Sequence, residues 1–176
     1  MTKPSNFINC VSNIRIRVLH PIFDLKHFRA AWKWTLEKPA WYRDSMKTWG
    51  MTKERYFENI KSESQIDFGV FNHSRLIAVF SFDEIAPTVF EIHLDCAKSA
   101  DLETIIHAAK VVKQHGFEKG AVLGYVWVQS FNRPILKLYQ QIGFLPSNIS
   151  IFRGNYRGHP VEWRQFILTK PESVRV

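Results

Sequence analysis

The chain has 176 residues, which favours a single domain over 1–176 and is long enough to bury a sizeable core. A hydrophobic fraction of 45% and an aromatic fraction of 14%, with six Trp and fourteen Phe, exclude a disordered chain. The net charge of +8 would attract polyanions, but no long Lys/Arg block and no nucleic-acid-binding signature goes with it, so a nucleic-acid partner is not expected.

The opening "MTKPSNFINC" has no apolar stretch of the kind that directs secretion, and no run approaches membrane-spanning length. The expectation is a cytoplasmic protein with reduced thiols and no membrane partner. Cys10 and Cys96 have no metal-ligand spacing, and the seven His show no HExxH pattern, so no metal is expected. Cys96 reads as a small core residue.

"NIRIRVLHP" alternates Ile14, Ile16 and Val18 with Arg15 and Arg17, as a half-buried strand does, and Pro21 stops it. From Asp24 to Ile60 the pattern is helical. "DLKHFRAAWKWTLEKP" opens with Asp24 as N-cap, and "TKERYFENIKSE" opens with Thr52. "QIDFGVF" and "LIAVFSF" flank the turn Asn72–Arg75 as a hairpin. In "TVFEIHLDC", Phe90, Ile92 and Leu94 point one way and Glu91, His93 and Asp95 the other. "ADLETIIHAAKVVKQHG" is a helix with an apolar stripe of Leu102, Ile105, Ile106, Ala109 and Val112, capped by Asp101 and ended by Gly116. "AVLGYVWV" is apolar on both faces, which suits a covered central strand.

"NRPILKLYQQIGF" is the next helix. Asn132 stands as N-cap, Pro134 sits in the first turn, Ile135, Leu138 and Ile142 form the buried stripe, and Gly143 closes it. "SNISIF" and "VEWRQFILT" read as strands joined by the loop "RGNYRGHP". The order is β-α-α-β-β-β-α-β-α-β-β. It implies an α/β domain: a mixed, mostly antiparallel sheet flanked by helices, with a parallel crossover between Val89 and Val128.

This order resembles the GNAT superfamily of N-acetyltransferases over nearly the whole chain. Asn132, Leu138-Tyr139 and Gly143-Phe144 match the spacing of that family's late motif, and Val128 ends the preceding strand where the family's strand ends. The resemblance implies a splayed parallel strand pair, acetyl-CoA as cofactor and an amine as acceptor. It implies cofactor contacts at Leu94, Cys96, Lys98, Ser99, Asn132 and Tyr139, with Tyr139 protonating the leaving thiolate. The family's pyrophosphate loop falls on "AKSADL", Ala97 to Leu102, which has no glycine and no arginine; Asp101 and Glu103 bring negative charge there.

Glu91 and His93 share a strand face toward the expected cleft, and either could take a proton from an amine, directly or through water. Each could equally be a solvated or paired group. Trp32, Trp34, Trp41 and Trp49 could wall an acceptor pocket or simply anchor the core, and this Trp-rich region could serve a homodimer. Arg153, Arg157 and His159 could hold an acidic acceptor or form a solvated loop. Two functions stay open: direct acetyl transfer from acetyl-CoA to a primary amine on a small molecule or protein, and an inactive binding or assembly protein on the same scaffold.

Overall fold

The computed structural model describes residues 7–11, 13–48, 50–118 and 120–169. The chain opens with strands β1 (Phe7–Val11) and β2 (Ile14–Val18), then three helices, α1 (Leu25–Leu36), α2 (Ala40–Thr48) and α3 (Lys53–Asn59). An antiparallel run follows, β3 (Gln65–Asn72), β4 (Arg75–Ala86) and β5 (Val89–Cys96). Then come α4 (Leu102–Glu118), β6 (Leu123–Gln129), α5 (Arg133–Gln141), β7 (Leu145–Tyr156) and β8 (His159–Thr169).

The eight strands form one sheet in the order β1-β2-β3-β4-β5-β6-β8-β7. Every neighbouring pair is antiparallel except β5 and β6. One face packs on α4 and α5 through a core that includes Phe68, Phe80, Phe82, Ile105, Val112, Val126 and Leu138. The other face packs on the early helices around Leu19, Phe28, Ala31, Phe71 and Val79. Phe28, Phe68 and Phe80 are almost wholly removed from water, each worth about 1.5–3 kcal/mol of transfer free energy.

The expected fold class holds: one mixed, mostly antiparallel sheet with helices on both faces and one parallel pair. The details differ in several places, among them a third early helix, α2, between the two expected ones. β1 is an added edge strand that pairs with β2. The two late strands extend through most of the expected loop, leaving a tight turn at Arg157–Gly158 with both residues at positive φ. Arg17 is buried, not solvent-facing, because α1 covers that side of β2; its guanidinium forks onto Asp24 with N–O distances of 2.7 and 2.6 Å. Asp24 therefore stands at the N-cap position of α1 without capping it by its side chain.

Gly116 does not end α4, which runs on to Glu118. A Cβ on Gly116 would lie 2.7 Å from the Phe82 ring, so this glycine lets the helix approach the sheet closely. Three other caps follow the sequence. Thr52 accepts from the Arg55 N–H, Asp101 accepts from the Thr104 N–H, and Gly143 closes α5 at φ +96°.

Candidate active site between two diverging strands

β5 and β6 hold together only at their beginnings. Val89, Phe90 and Glu91 pair with Leu123, Gly124 and Tyr125, and there the ladder stops. Beyond it β6 stays paired with β8 as far as Gln129, while β5 stays paired with β4 as far as Cys96. The edge of β5 from Ile92 to Cys96 that faces β6 thus has no strand partner. Peptide groups along such an edge suit a ligand that can take the place of a strand.

A cavity of about 410 Å³ opens at this divergence. β5 contributes Glu91, His93, Leu94, Asp95 and Cys96 to its lining, and β6 contributes Trp127, Val128 and Gln129. Asn132, Ile135 and Tyr139 line it from the α5 side, and Lys38, between α1 and α2, with Tyr42 and Tyr56 of the early helices lines it from the other. A second groove, about 690 Å³ between the C-terminal ends of α4 and α5, is more open to solvent and is lined by Lys110, Lys113, Gln114, Glu118 and Gln141. Its Lys113 is engaged with the terminal carbonyl of α5 at Ile142.

Alternation along the strands decides which groups reach the cavity. Glu91, His93 and Asp95 lie on the face opposite the Phe90 and Ile92 core. His93 Nε2 is 3.8 Å from Glu91 Oε1, and the Tyr125 hydroxyl donates to Glu91 Oε2 at 3.3 Å. Burial first, then the Glu91 carboxylate, pushes the Tyr125 phenol up to about 12. Across β4, Ser81 pairs with His93 and its hydroxyl donates to the buried Asp67 carboxylate. Burial pushes Asp67 up to about 6 against the hydrogen bonds from Ser81 and Gln65.

At the far end, Lys38 Nζ lies 2.6 Å from Asp95 Oδ1, and the Thr35 hydroxyl donates to the same oxygen at 3.2 Å. Burial alone would pull the Lys38 ammonium down, but the Asp95 carboxylate, reinforced by Tyr42, holds it above the ordinary lysine range. Tyr139 is 5% exposed and packs edge-on to Phe144 with ring centroids 5.1 Å apart. Burial, then nearby Tyr42, pushes its phenol well above the usual range, so it keeps its proton at neutral pH. Burial also raises the Cys96 thiol, which makes it a poor nucleophile.

Of the residues singled out from the sequence, Glu91, His93, Leu94, Cys96, Asn132 and Tyr139 meet at this cavity. Lys98 and Ser99 are exposed in the turn before α4 and do not line it. Asn132 does not cap α5 by its side chain; its Nδ2 donates to Gln129 Oε1 at 3.2 Å. Trp32 and Trp34 are not in the lining either: Trp32 packs on Tyr56, and Trp34 on the second core. The side chain of Trp41, all of Trp49 and the side chain of Cys10 lie outside the described residues. Arg153, Arg157 and His159 sit on the exposed late hairpin, away from the lining.

Lys38, Tyr42, Trp127, Gln129 and Trp163 were not anticipated as cavity residues. Only Trp127 and Gln129 carry a sequence signal, their alternation at the end of a strand. The N-terminus of α4, where the resemblance puts a pyrophosphate, is closed by its own chain: hydrogen bonds from Thr104 hold the Asp101 carboxyl below its ordinary range.

No family model matches the sequence, and no curated protein matches it. Solved structures do. The ribosomal-protein alpha-N-acetyltransferase RimL, in complex with coenzyme A, superimposes with TM-score 0.71 at 13% identity, over 93% of this chain and 98% of that one. A ribosomal-protein alanine acetyltransferase from Vibrio fischeri gives 0.68 at 10% identity over 93% and 97%. A dodecameric spermidine N-acetyltransferase from Vibrio cholerae gives 0.64 at 16% over 90% and 95%. This chain has the GNAT fold. The expected parallel strand pair is where the resemblance put it, at β5 and β6.

Proposed function

We propose that this protein transfers an acetyl group from acetyl-CoA to a primary amine by direct attack, without an acyl-enzyme. The observation that carries the reading is the open β5 edge running along a cavity that ends at the protonated Tyr139. Proteins of the same fold support it: one was solved with coenzyme A, and others are named for acetylating protein amino groups or spermidine.

The residues fit such a ligand at one end better than at the other. The peptide groups of Ile92 to Cys96 and the amides of Gln129 and Asn132 suit the amide-bearing pantetheine arm. The phosphates would meet Lys98 and Ser99 but also Asp101, whose carboxylate already caps α4. Bound there, acetyl-CoA would supply an activated acetyl carbonyl and a thiolate leaving group. Glu91 or His93, directly or through water, takes the proton from the attacking amine. Tyr125 holds one oxygen of Glu91, which orients the carboxylate toward His93. Tyr139 lines the cavity and is the group placed to give a proton to the departing sulfur, although burial weakens it as an acid. Cys96, Lys38 and Asp95 take no covalent part.

A second reading, a binding protein on the same scaffold without chemistry, draws on one observation: the acidic, self-capped N-terminus of α4. Thiol release from acetyl-CoA in the presence of a panel of amines separates the two. The transferase reading expects release that depends on the amine, and a Tyr139→Phe variant with kcat lowered about tenfold or more and binding largely kept. Amine-independent background release at every amine tested would leave only the binding reading.

A further inference from the structure

Gln129 ends β6 at the mouth of the divergence and is 3% exposed. Its Oε1 accepts from Asn132 Nδ2 at 3.2 Å. Its Nε2 is then left without a hydrogen-bond partner, the one buried side-chain nitrogen or oxygen so placed among the described residues. A buried N–H that has lost water and found no acceptor is costly, and native structures hold few of them. Gln129 lines the same cavity as the open β5 edge. The missing acceptor is therefore something that enters the cavity.

We infer that Gln129 is a ligand-binding residue: its Nε2–H donates to an amide carbonyl of the extended arm that lies along the free edge of β5. This rests on the acetyl-CoA reading and assigns that ligand a contact the GNAT motif does not specify. A carbonyl oxygen is the required chemistry, because the orphaned atom is a donor. An arm carrying amides is the required shape, because an unpaired strand edge offers alternating N–H and C=O groups. Asn132, the motif residue, acts here by holding the other end of the Gln129 amide.

The test is calorimetric titration of wild type and Gln129→Met with acetyl-CoA, and with S-acetylpantetheine, which lacks the nucleotide. Methionine keeps the length and removes the donor. The inference expects Gln129→Met to bind both ligands roughly 3- to 10-fold more weakly, the range for losing one neutral hydrogen bond. The thermal midpoint of the free protein should move little, since the variant removes an unsatisfied donor together with one side-chain hydrogen bond to Asn132. Equal affinity for wild type and variant overturns the inference and leaves the acetyl-CoA reading standing. A loss confined to acetyl-CoA also overturns it, by placing the contact on the nucleotide. No binding by wild type overturns the reading and the inference together. The side-chain amide resonance of Gln129 in isotope-labelled wild type supplies a second readout that needs no variant. It should shift when acetyl-CoA is added; an unmoved resonance at saturation, as when a water already fills the acceptor's place, contradicts the inference.

Discussion

Lys38 and Asp95 are 57 positions apart and meet at 2.6 Å, each about one-fifth exposed. They fasten the turn after α1 to the end of β5 that has parted from β6, and so fix one side of the cavity. Their charges are drawn well out of water, and removing one partner leaves the other poorly solvated. Lys38→Met should destabilise the protein by roughly 1–3 kcal/mol. A double-mutant cycle with Asp95→Asn in chemical denaturation should return a coupling of at least about 0.5 kcal/mol; additivity would mean that the pair holds nothing in place. Such a contact is illegible in sequence, because no local pattern links residues on different elements. The directions of Glu91 and His93 were legible because strand alternation dictates them, whereas Tyr139 was reached through the resemblance to the late GNAT motif. For Gln129, alternation gives the direction of the side chain, but an amide at a strand end belongs to no motif, and its unpaired Nε2 is visible only in the structure.

The elements followed their periodicities. The stripes of α4 and α5 gave most of their buried faces, with Ile105, Ala109, Val112 and Leu138 inside, but Leu102 at the start of α4 is exposed. Capping was read less well, because a residue suited to a cap can be spent elsewhere. Asp24 went to Arg17, Asn132 to Gln129, and Gly116 to the Phe82 ring. Asp101 did become a cap, and that matters for ligand binding, since its charge opposes an anion at the N-terminus of α4. Asp101→Asn keeps the capping oxygen and removes the charge. If phosphates lie there, this variant should bind acetyl-CoA about 2- to 5-fold more tightly by calorimetry, while adding salt should narrow the gap. Unchanged affinity would place the phosphates away from this helix.

Across the whole molecule, the order of elements was enough to reach the fold class, and the parallel pair fell where the crossover between Val89 and Val128 required it. β1 and the long late hairpin were missed for different reasons. β1 is a short edge strand whose partner is settled only in the sheet, and the stretch around Gly154 and Gly158 looks like loop until two strands pair across it. The buried polar face of the sheet also shapes stability. Asp67 binds its proton more tightly when folded than when unfolded, so stability should fall as pH rises from about 4 to about 6 and stay reduced above that. Asp67→Asn should flatten this slope and gain roughly 1–3 kcal/mol at pH 7, with the gap closing below about pH 4. Denaturation midpoints across pH check this; a gap that widens in acid would mean that the carboxylate is stabilised by its surroundings.

The central claim is that the space between β5 and β6 receives acetyl-CoA. Titration calorimetry of the purified chain with acetyl-CoA tests it most directly. The account predicts saturable binding at one site per chain, abolished when a bulky side chain, as in Cys96→Trp, fills the cavity of a still-folded variant. No binding heat at high micromolar ligand at two temperatures, or full affinity in that variant, would contradict it.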